Sequence, residues 1–289
     1  MTILVFGRSG QVARSLSERA GEASAPLVFL GRDQADLSLP EQCAAAIREQ
    51  RPAAVINAAA WTAVDAAEES EAEASVVNGE APGVMATTCA ELAIPFLHVS
   101  SDYVFDGSGV LPWAPSAPAE PLGAYGRSKA LGETRIRESG ARAVVLRTSW
   151  VFSPFGANFV KTMLRLGAER ERLSVVDDQI GGPTSARSIA GALLSLAEQM
   201  LAGRKGGTYN FSGAPAVSWA AFAKTIMKQA NLPCEITPIP TTAYPTPAPR
   251  PLNSRLDCAS LSSDFGIEQS DWRMELSDVL ESLNEGANR

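Results

Sequence analysis

The sequence predicts an α/β fold, a doubly wound parallel sheet with a smaller C-terminal lobe, on three observations. Short apolar runs alternate with helix-period stretches through the first half of the chain. A glycine turn joins the first run to the first helical stretch, and after about residue 152 the alternation gives way to a looser pattern rich in Gly and Pro. At 289 residues the chain exceeds one average domain and falls short of two large ones, so a main fold with an appended lobe is the expected partition.

In order, the apolar runs Ile3–Phe6, Leu27–Leu30, 53–60, 94–101 and 143–151 read as buried strands. Helical segments at 11–20, Pro40–Gln50, 70–93 and 124–139 separate them, the rhythm of parallel strands joined by crossover helices. Residues 1–152 are therefore expected to form a dinucleotide-binding domain, with a later stretch at about 185–211 returning to it. Residues 153–289 form mainly a substrate-binding lobe. That lobe is expected to hold an amphipathic helix near 157–168, a loop at 179–184, a helix from 185 to about 201, a short strand at 207–211 and a helix at 218–230. The proline-dense segment 238–251 reads as a functional loop, or alternatively as a linker.

Composition removes several function classes. The net charge is −7 and the 25 Lys and Arg residues are scattered, which argues against nucleic acid as a partner. No run of eighteen apolar residues suggests a membrane span, and the N-terminus enters a strand pattern without a signal-like segment, so a cytoplasmic location is expected. Cys43, Cys89, Cys234 and Cys258 are far apart with no CxxC pair and read as reduced packing thiols. His98, the single histidine, lies in an apolar run and reads as a core imidazole; one histidine makes a His-based triad or a His-rich metal site implausible.

Three motifs carry chemistry. Gly7-Arg8-Ser9-Gly10-Gln11-Val12 follows the first strand and opens a helix, so Gly7, Gly10, Gln11 and Val12 fall where backbone N–H groups and the helix N-terminus cradle a pyrophosphate. An ordinary strand-to-helix turn is the alternative reading of the glycines. The second strand ends without the acidic residue that binds the ribose of NAD. Arg32 stands there instead, suited to a 2′-phosphate or simply to solvent, so NADPH is favoured with NADH possible. Asp36 and Leu37 lie where an adenine would be flanked, and Ala60, Trp61 and Thr62 follow the third strand at the nicotinamide end, with Val99 completing the cofactor set.

Tyr125-Gly126-Arg127-Ser128-Lys129 places a phenol and an ammonium one helical turn apart, where the cation is expected to lower the phenol's pKa and hold ribose hydroxyls. Ser101, at the carboxyl end of the fourth strand, offers a hydroxyl to a carbonyl oxygen becoming an alkoxide, together with Tyr125. Ser100 beside it reads as a possible strand-end cap. Any one of these residues has a structural alternative; their joint order is what points to a catalytic set of Ser101, Tyr125 and Lys129.

With these motifs in place, the sequence resembles the extended short-chain dehydrogenase/reductase family. The phrases Ser101-Asp102-Tyr103-Val104-Phe105 and Arg147-Thr148-Ser149-Trp150-Val151, with the stretches 158–163, 240–248 and 250–256, look like sugar-nucleotide reductases of that family across both lobes. The resemblance implies a Rossmann domain and reduction of the 4-keto group of dTDP-4-dehydro-L-rhamnose by NADPH or NADH, giving dTDP-L-rhamnose for cell-surface polysaccharide. It implies Tyr125 as the acid, Lys129 as its partner, and Ser101, Asp102 and Trp150 at the sugar. Arg250 and Arg255 are expected at the nucleotide diphosphate, on charge as much as on likeness. Ser101 stands where many relatives carry threonine, Trp61 where histidine is common and Ala13 where glycine is common. Some relatives form a metal-bridged dimer through glutamates; Ser15 and Arg187 occupy those places, so no metal bridge is expected and the chain is expected to be a monomer or weak homodimer. A 4,6-dehydratase needs a glutamate where Tyr103 stands. The remaining alternatives are an epimerase that retains its cofactor, and a non-catalytic cofactor-binding regulator, against which the intact Ser101, Tyr125 and Lys129 argue.

Overall fold

A computed structural model describes residues 2–287. Five strands arise in the first half: β1 (Ile3–Phe6), β2 (Leu27–Leu30), β3 (Ala54–Asn57), β4 (Phe96–Ser101) and β5 (Ala143–Thr148). With the strand Gly207–Asn210 they make one parallel six-stranded sheet. From one edge it runs Gly207–Asn210, β5, β4, β3, β1, β2.

Successive side chains of a strand face opposite ways, and here both faces are covered, which is why the runs are continuously apolar. Ile3 and Val5 pack on one side with Val12 and Leu16 of the helix Gln11–Glu18 and with Ile189 and Leu193 of the helix Ala186–Leu201. Leu4 and Phe6 pack on the other with Ile47 of Pro40–Gln50, Met85 of Ala81–Glu91 and Ile136 of Ala124–Glu138. A separate core gathers Phe152, Met163, Phe222, Ile226, Trp272 and Leu276 in the C-terminal half.

Helix starts in that half are set by side-chain caps. Asn158, Ser185 and Ser218 accept hydrogen bonds from the amides of Lys161, Ser188 and Ala221, opening the helices Phe159–Glu169, Ala186–Leu201 and Trp219–Gln229. These lie within two residues of the expected starts.

Four departures occur, the first two with a local cause. The expected strand 53–60 stops at Asn57, whose side chain accepts a hydrogen bond from the Ala59 amide at 3.1 Å and turns the chain. The expected strand 143–151 breaks after Thr148, because Trp150 takes φ of +48°, and pairing resumes as Val151–Phe152 beside Thr184–Ser185. The expected helix 70–93 is two α-helical pieces, Glu71–Ser75 and Ala81–Glu91, around a π-helical turn at Val76–Glu80. A parallel pair, Arg172–Val176 with Glu235–Ile239, stands where no strand was expected and takes in the first two residues of the proline-dense segment. Helices Ala259–Phe265 and Trp272–Ala287 complete the chain.

Candidate active site

The carboxyl ends of the parallel strands carry the site, as the topology requires. Ser101 ends β4 and caps a short 3₁₀ turn, Asp102–Val104: its hydroxyl accepts from the Tyr103 amide at 3.2 Å and donates to Asp102 Oδ1 at 3.0 Å. Tyr125 lies in the first turn of the helix Ala124–Glu138, its ring edge-on to Tyr103 with centroids 5.5 Å apart. Gly126 makes that approach possible, because a Cβ there would fall 2.1 Å from the Tyr103 carbonyl oxygen. The helix start is held by Glu68, whose carboxylate accepts from the Ala124 amide at 2.8 Å, the sign that a helix N-terminus favours.

The electrostatics depart from the sequence expectation. Burial pushes the Tyr125 phenol up to about 12; the Ser101 hydroxyl opposes this and the Asp102 carboxylate adds to it. Lys129, 1% exposed, does not offset that rise. Its ammonium nitrogen donates to the Val99 carbonyl at 2.7 Å and lies 3.2 Å from His98 Nε2. Burial pulls Lys129 down to about 8, with Glu133 acting in the other direction. The Ser101 hydroxyl thus acts directly on the Tyr125 phenol and is bonded to Asp102, while Lys129 is tied to β4 on the same helix face. The phenol's pKa is raised, chiefly by desolvation, and the group that lowers it is Ser101 rather than the expected lysine.

On the cofactor side, Gly7 takes φ of +110°, a conformation that glycine adopts without steric strain. The helix that follows has no side-chain cap, and Gly10 at its N-cap faces open space. Uncapped first-turn N–H groups beside a glycine with room in front of it suit a pyrophosphate. Gln11 reaches away to the second lobe, its Oε1 accepting from Ser153 Oγ at 2.7 Å and Asn158 Nδ2 at 3.0 Å. Val12 packs its side chain into the core, while its amide lies in the uncapped first turn. Arg32 is 78% exposed and pairs with Asp36 at 3.1 Å; the Ser38 amide chiefly holds the Asp36 carboxyl below its usual range. Leu37 is buried with Leu4 and Phe6. Arg8, which the sequence reading left unassigned, is a second guanidinium at this edge, paired with Asp33 at 3.1 Å.

After β3, Trp61 is pinned at both backbone groups by Asn78: its amide donates to Asn78 Oδ1 at 2.8 Å and its carbonyl accepts from Nδ2 at 3.0 Å. Ala60 and Thr62, on either side, are exposed. The π-helical turn that carries Asn78 also lets it donate to Ser128 Oγ at 3.0 Å, which in turn donates to the Tyr125 carbonyl.

The substrate set divides. Asp102 is buried beside Ser101, its Oδ2 has no hydrogen-bond partner, and burial raises its carboxyl to about 6. Trp150 stacks on Trp219 at 3.5 Å and lies over Gly181. Arg250 is not a free cation: it grips Asp65 through two bonds of 2.7 and 2.8 Å and the Ala248 carbonyl through a third. Arg255 donates to Asn253 Oδ1 at 3.0 Å.

Sequence reasoning missed the buried groups behind the site. Ser100 is no cap; it donates to Glu133 at 2.6 Å, and Glu133 is bridged twice by Arg147. His98 is a core imidazole as expected, but it links Asn57, at 3.1 Å, to Lys129. The only prior signal was the polarity of Asn57 and His98 inside apolar runs. Among the described residues no cluster of His, Cys, Asp or Glu is suited to a metal ion, and no helix is long and apolar enough to cross a membrane.

Residues 1–285 match the family model described as the RmlD substrate binding domain. The chain is 46% identical over 286 residues to a dTDP-4-dehydrorhamnose reductase of Burkholderia thailandensis, covering 94% of this chain and 96% of that protein. Its fold is similar to the crystal structure of a dTDP-4-dehydrorhamnose reductase from Clostridium acetobutylicum, with a TM-score of 0.93 and 30% identity over 98% of this chain and 100% of that one. The dTDP-4-dehydrorhamnose reductase from Bacillus anthracis in complex with NADP is also similar, with a TM-score of 0.89 and 30% identity over 97% and 99% of the two chains.

Proposed function

The chain belongs to the family of the RmlD substrate binding domain and is an oxidoreductase, and on that premise we propose that it reduces the 4-keto group of dTDP-4-dehydro-L-rhamnose, with Tyr125 as general acid, to give dTDP-L-rhamnose. The observation that carries the reading is the convergence of Ser101, Asp102 and Tyr125 at the carboxyl end of β4, with Lys129 on the same helix face.

The bound nicotinamide supplies the hydride. A C–H bond forms at the former carbonyl carbon, and the Tyr125 proton passes to the oxygen, so the C=O π bond becomes C–H and O–H. A phenol raised to about 12 remains protonated at neutral pH and so holds a proton to give, while the rise makes it a weaker acid than one poised near the working pH. Ser101 shares the developing negative charge on oxygen. Lys129 holds the ribose hydroxyls, Asp102 and Trp150 orient the sugar, and the uncapped helix start at Gly10 takes the pyrophosphate.

NADPH is the favoured reductant, with NADH accepted. Arg8 and Arg32 both stand at the end of β2, and their exposed pairs with Asp33 and Asp36 contribute at most about 1 kcal/mol each, so either guanidinium exchanges its carboxylate for a 2′-phosphate at little cost. The division into a dinucleotide domain, 1–152, and a mainly substrate lobe, 153–289, is supported by the separate core around Phe222 and Trp272.

The test mixes purified chain with NADPH and dTDP-4-dehydro-L-rhamnose and follows nicotinamide absorbance and sugar product. Stoichiometric loss of NADPH with formation of dTDP-L-rhamnose is expected; no consumption with either NADPH or NADH overturns the proposal.

A further inference from the structure

We infer that Asn57, His98 and Lys129 act as one buried unit, in which the tautomer of His98 and the amide orientation of Asn57 change together with the protonation state of Lys129. His98 is then a positioning residue for the lysine. The inference uses the proposed role of Lys129 only for its catalytic consequence.

The argument is donor arithmetic. The Ala59 amide can only donate, so the Asn57 oxygen faces it, at 3.1 Å, and Asn57 Nδ2 is left to donate to His98 Nδ1, at 3.1 Å. A neutral imidazole has one N–H and one lone pair. With Nδ1 accepting, the proton sits on Nε2, which faces Lys129 Nζ at 3.2 Å. An ammonium has three donors and no lone pair, so an Nε2–H opposite it leaves two donors in conflict. A neutral amine resolves the conflict: it accepts from Nε2–H and donates to the Val99 carbonyl at 2.7 Å.

The charged lysine selects the other arrangement, which moves the donor conflict from Lys129 to the Ala59 amide. Nε2 then accepts from the ammonium, Nδ1 carries the proton, and the Asn57 amide rotates to present its oxygen to Nδ1, giving up the Ala59 amide. An imidazolium fits neither arrangement, and burial together with the Lys129 charge holds His98 well below its ordinary pKa. Each state of the lysine therefore selects one tautomer.

The titratable neighbours leave the balance near neutrality. Glu133, one turn further along the helix, favours the ammonium, but its oxygens are engaged by Arg147 and Ser100. Tyr125, one turn back, is held protonated, and Asp102 lies beyond it. Desolvation acts against the ammonium and brings Lys129 to about 8. The lysine thus exchanges between amine and ammonium near pH 8, and the exchange requires a proton to change sides of the His98 ring.

Because the chain contains one histidine, tag-free protein labelled with ¹⁵N-histidine gives a single pair of ring resonances, with no assignment needed. A pH titration of the full chain is expected to show the Nε2–H tautomer above about pH 8 and the Nδ1–H tautomer below it, with one midpoint. The Lys129→Met variant is expected to keep the Nε2–H form throughout and lose the midpoint. One unchanging tautomer in the unsubstituted protein, or an imidazolium at neutral pH, overturns the inference; that titration decides even where the variant does not fold. No substrate enters the experiment, so its failure is distinct from failure of the proposed reduction.

Discussion

Tyr125 lies where burial works against ionisation, so its value is as a loaded proton donor and not as a ready phenolate. Tyr125→Phe keeps the ring and its edge contact with Tyr103 but has no proton to give. Turnover is expected to fall by about 10²–10⁴-fold while cofactor affinity stays within about twofold, as steady-state kinetics and a cofactor titration will show. Asp102 supplies a second prediction, with an unusual sign. Its folded pKa is raised from 3.8 to about 6, so the stability it contributes is fully present below pH 3.8 and is lost as pH rises through 6. His98 has the opposite sense: its folded pKa is lowered, so its contribution is present above pH 6.5 and is lost as pH falls. Between pH 6 and 4 the two oppose each other. Asp102→Asn removes the compensating partner, and thermal unfolding followed against pH is expected to show a steeper acid loss than the unsubstituted chain.

The spacing of Tyr125 and Lys129 and the position of Ser101 were legible because each follows from a short local pattern. Asn57 and His98 were not, since their meeting depends on the register of β3 against β4, where they are direct neighbours. The pairing of Arg250 was not legible for the same kind of reason. Its partner Asp65 lies 185 residues away, and a cation in sequence carries no mark of whether it is already neutralised.

The helix Ala124–Glu138 is the element on which the site turns. Gly126 in its first turn is a poor helix former, and alanine there would gain about 1 kcal/mol from propensity alone. The Cβ would however meet the Tyr103 carbonyl oxygen at 2.1 Å, and overpacking of backbone on side chain costs about 1–3 kcal/mol. Gly126→Ala is therefore expected to lose stability in denaturant titrations and, by displacing Tyr125, to lower kcat more than it raises KM. Further along, Glu133 ties the helix to β5 through Arg147 and to β4 through Ser100, all three buried. Removing one charge leaves the other unpaired in a dry place, so Glu133→Gln is expected to cost about 3–5 kcal/mol, measurable as a fall in the denaturation midpoint.

Elements of the sheet were readable because burial on both faces leaves an unbroken apolar run. The exceptions are instructive. Arg172–Val176 buries only Leu173 and Val175 and Glu235–Ile239 only Ile236, and the two strands are some 60 residues apart, so neither run stands out and nothing local announces the partner. The break at Trp150 was hidden because a bulky residue at positive φ contradicts local preference and is held there by stacking on Trp219.

At the scale of the whole molecule, two cores cover the sheet faces and a third gathers around Phe222 in the C-terminal half. Gln11 joins the two halves of the chain. It opens the helix whose start suits a pyrophosphate, and its side chain is bonded to Ser153 and Asn158, which respectively precede and cap the first helix of the second lobe. One amide is thus a mechanical coupling between the place for one ligand and the frame of the other. Thermodynamic reciprocity then demands a symmetric result: whatever factor the dinucleotide adds to the affinity for the sugar nucleotide, the sugar nucleotide returns. Calorimetric titrations of each ligand with and without the other are expected to give equal factors above one, and Gln11→Ala is expected to bring both towards unity together.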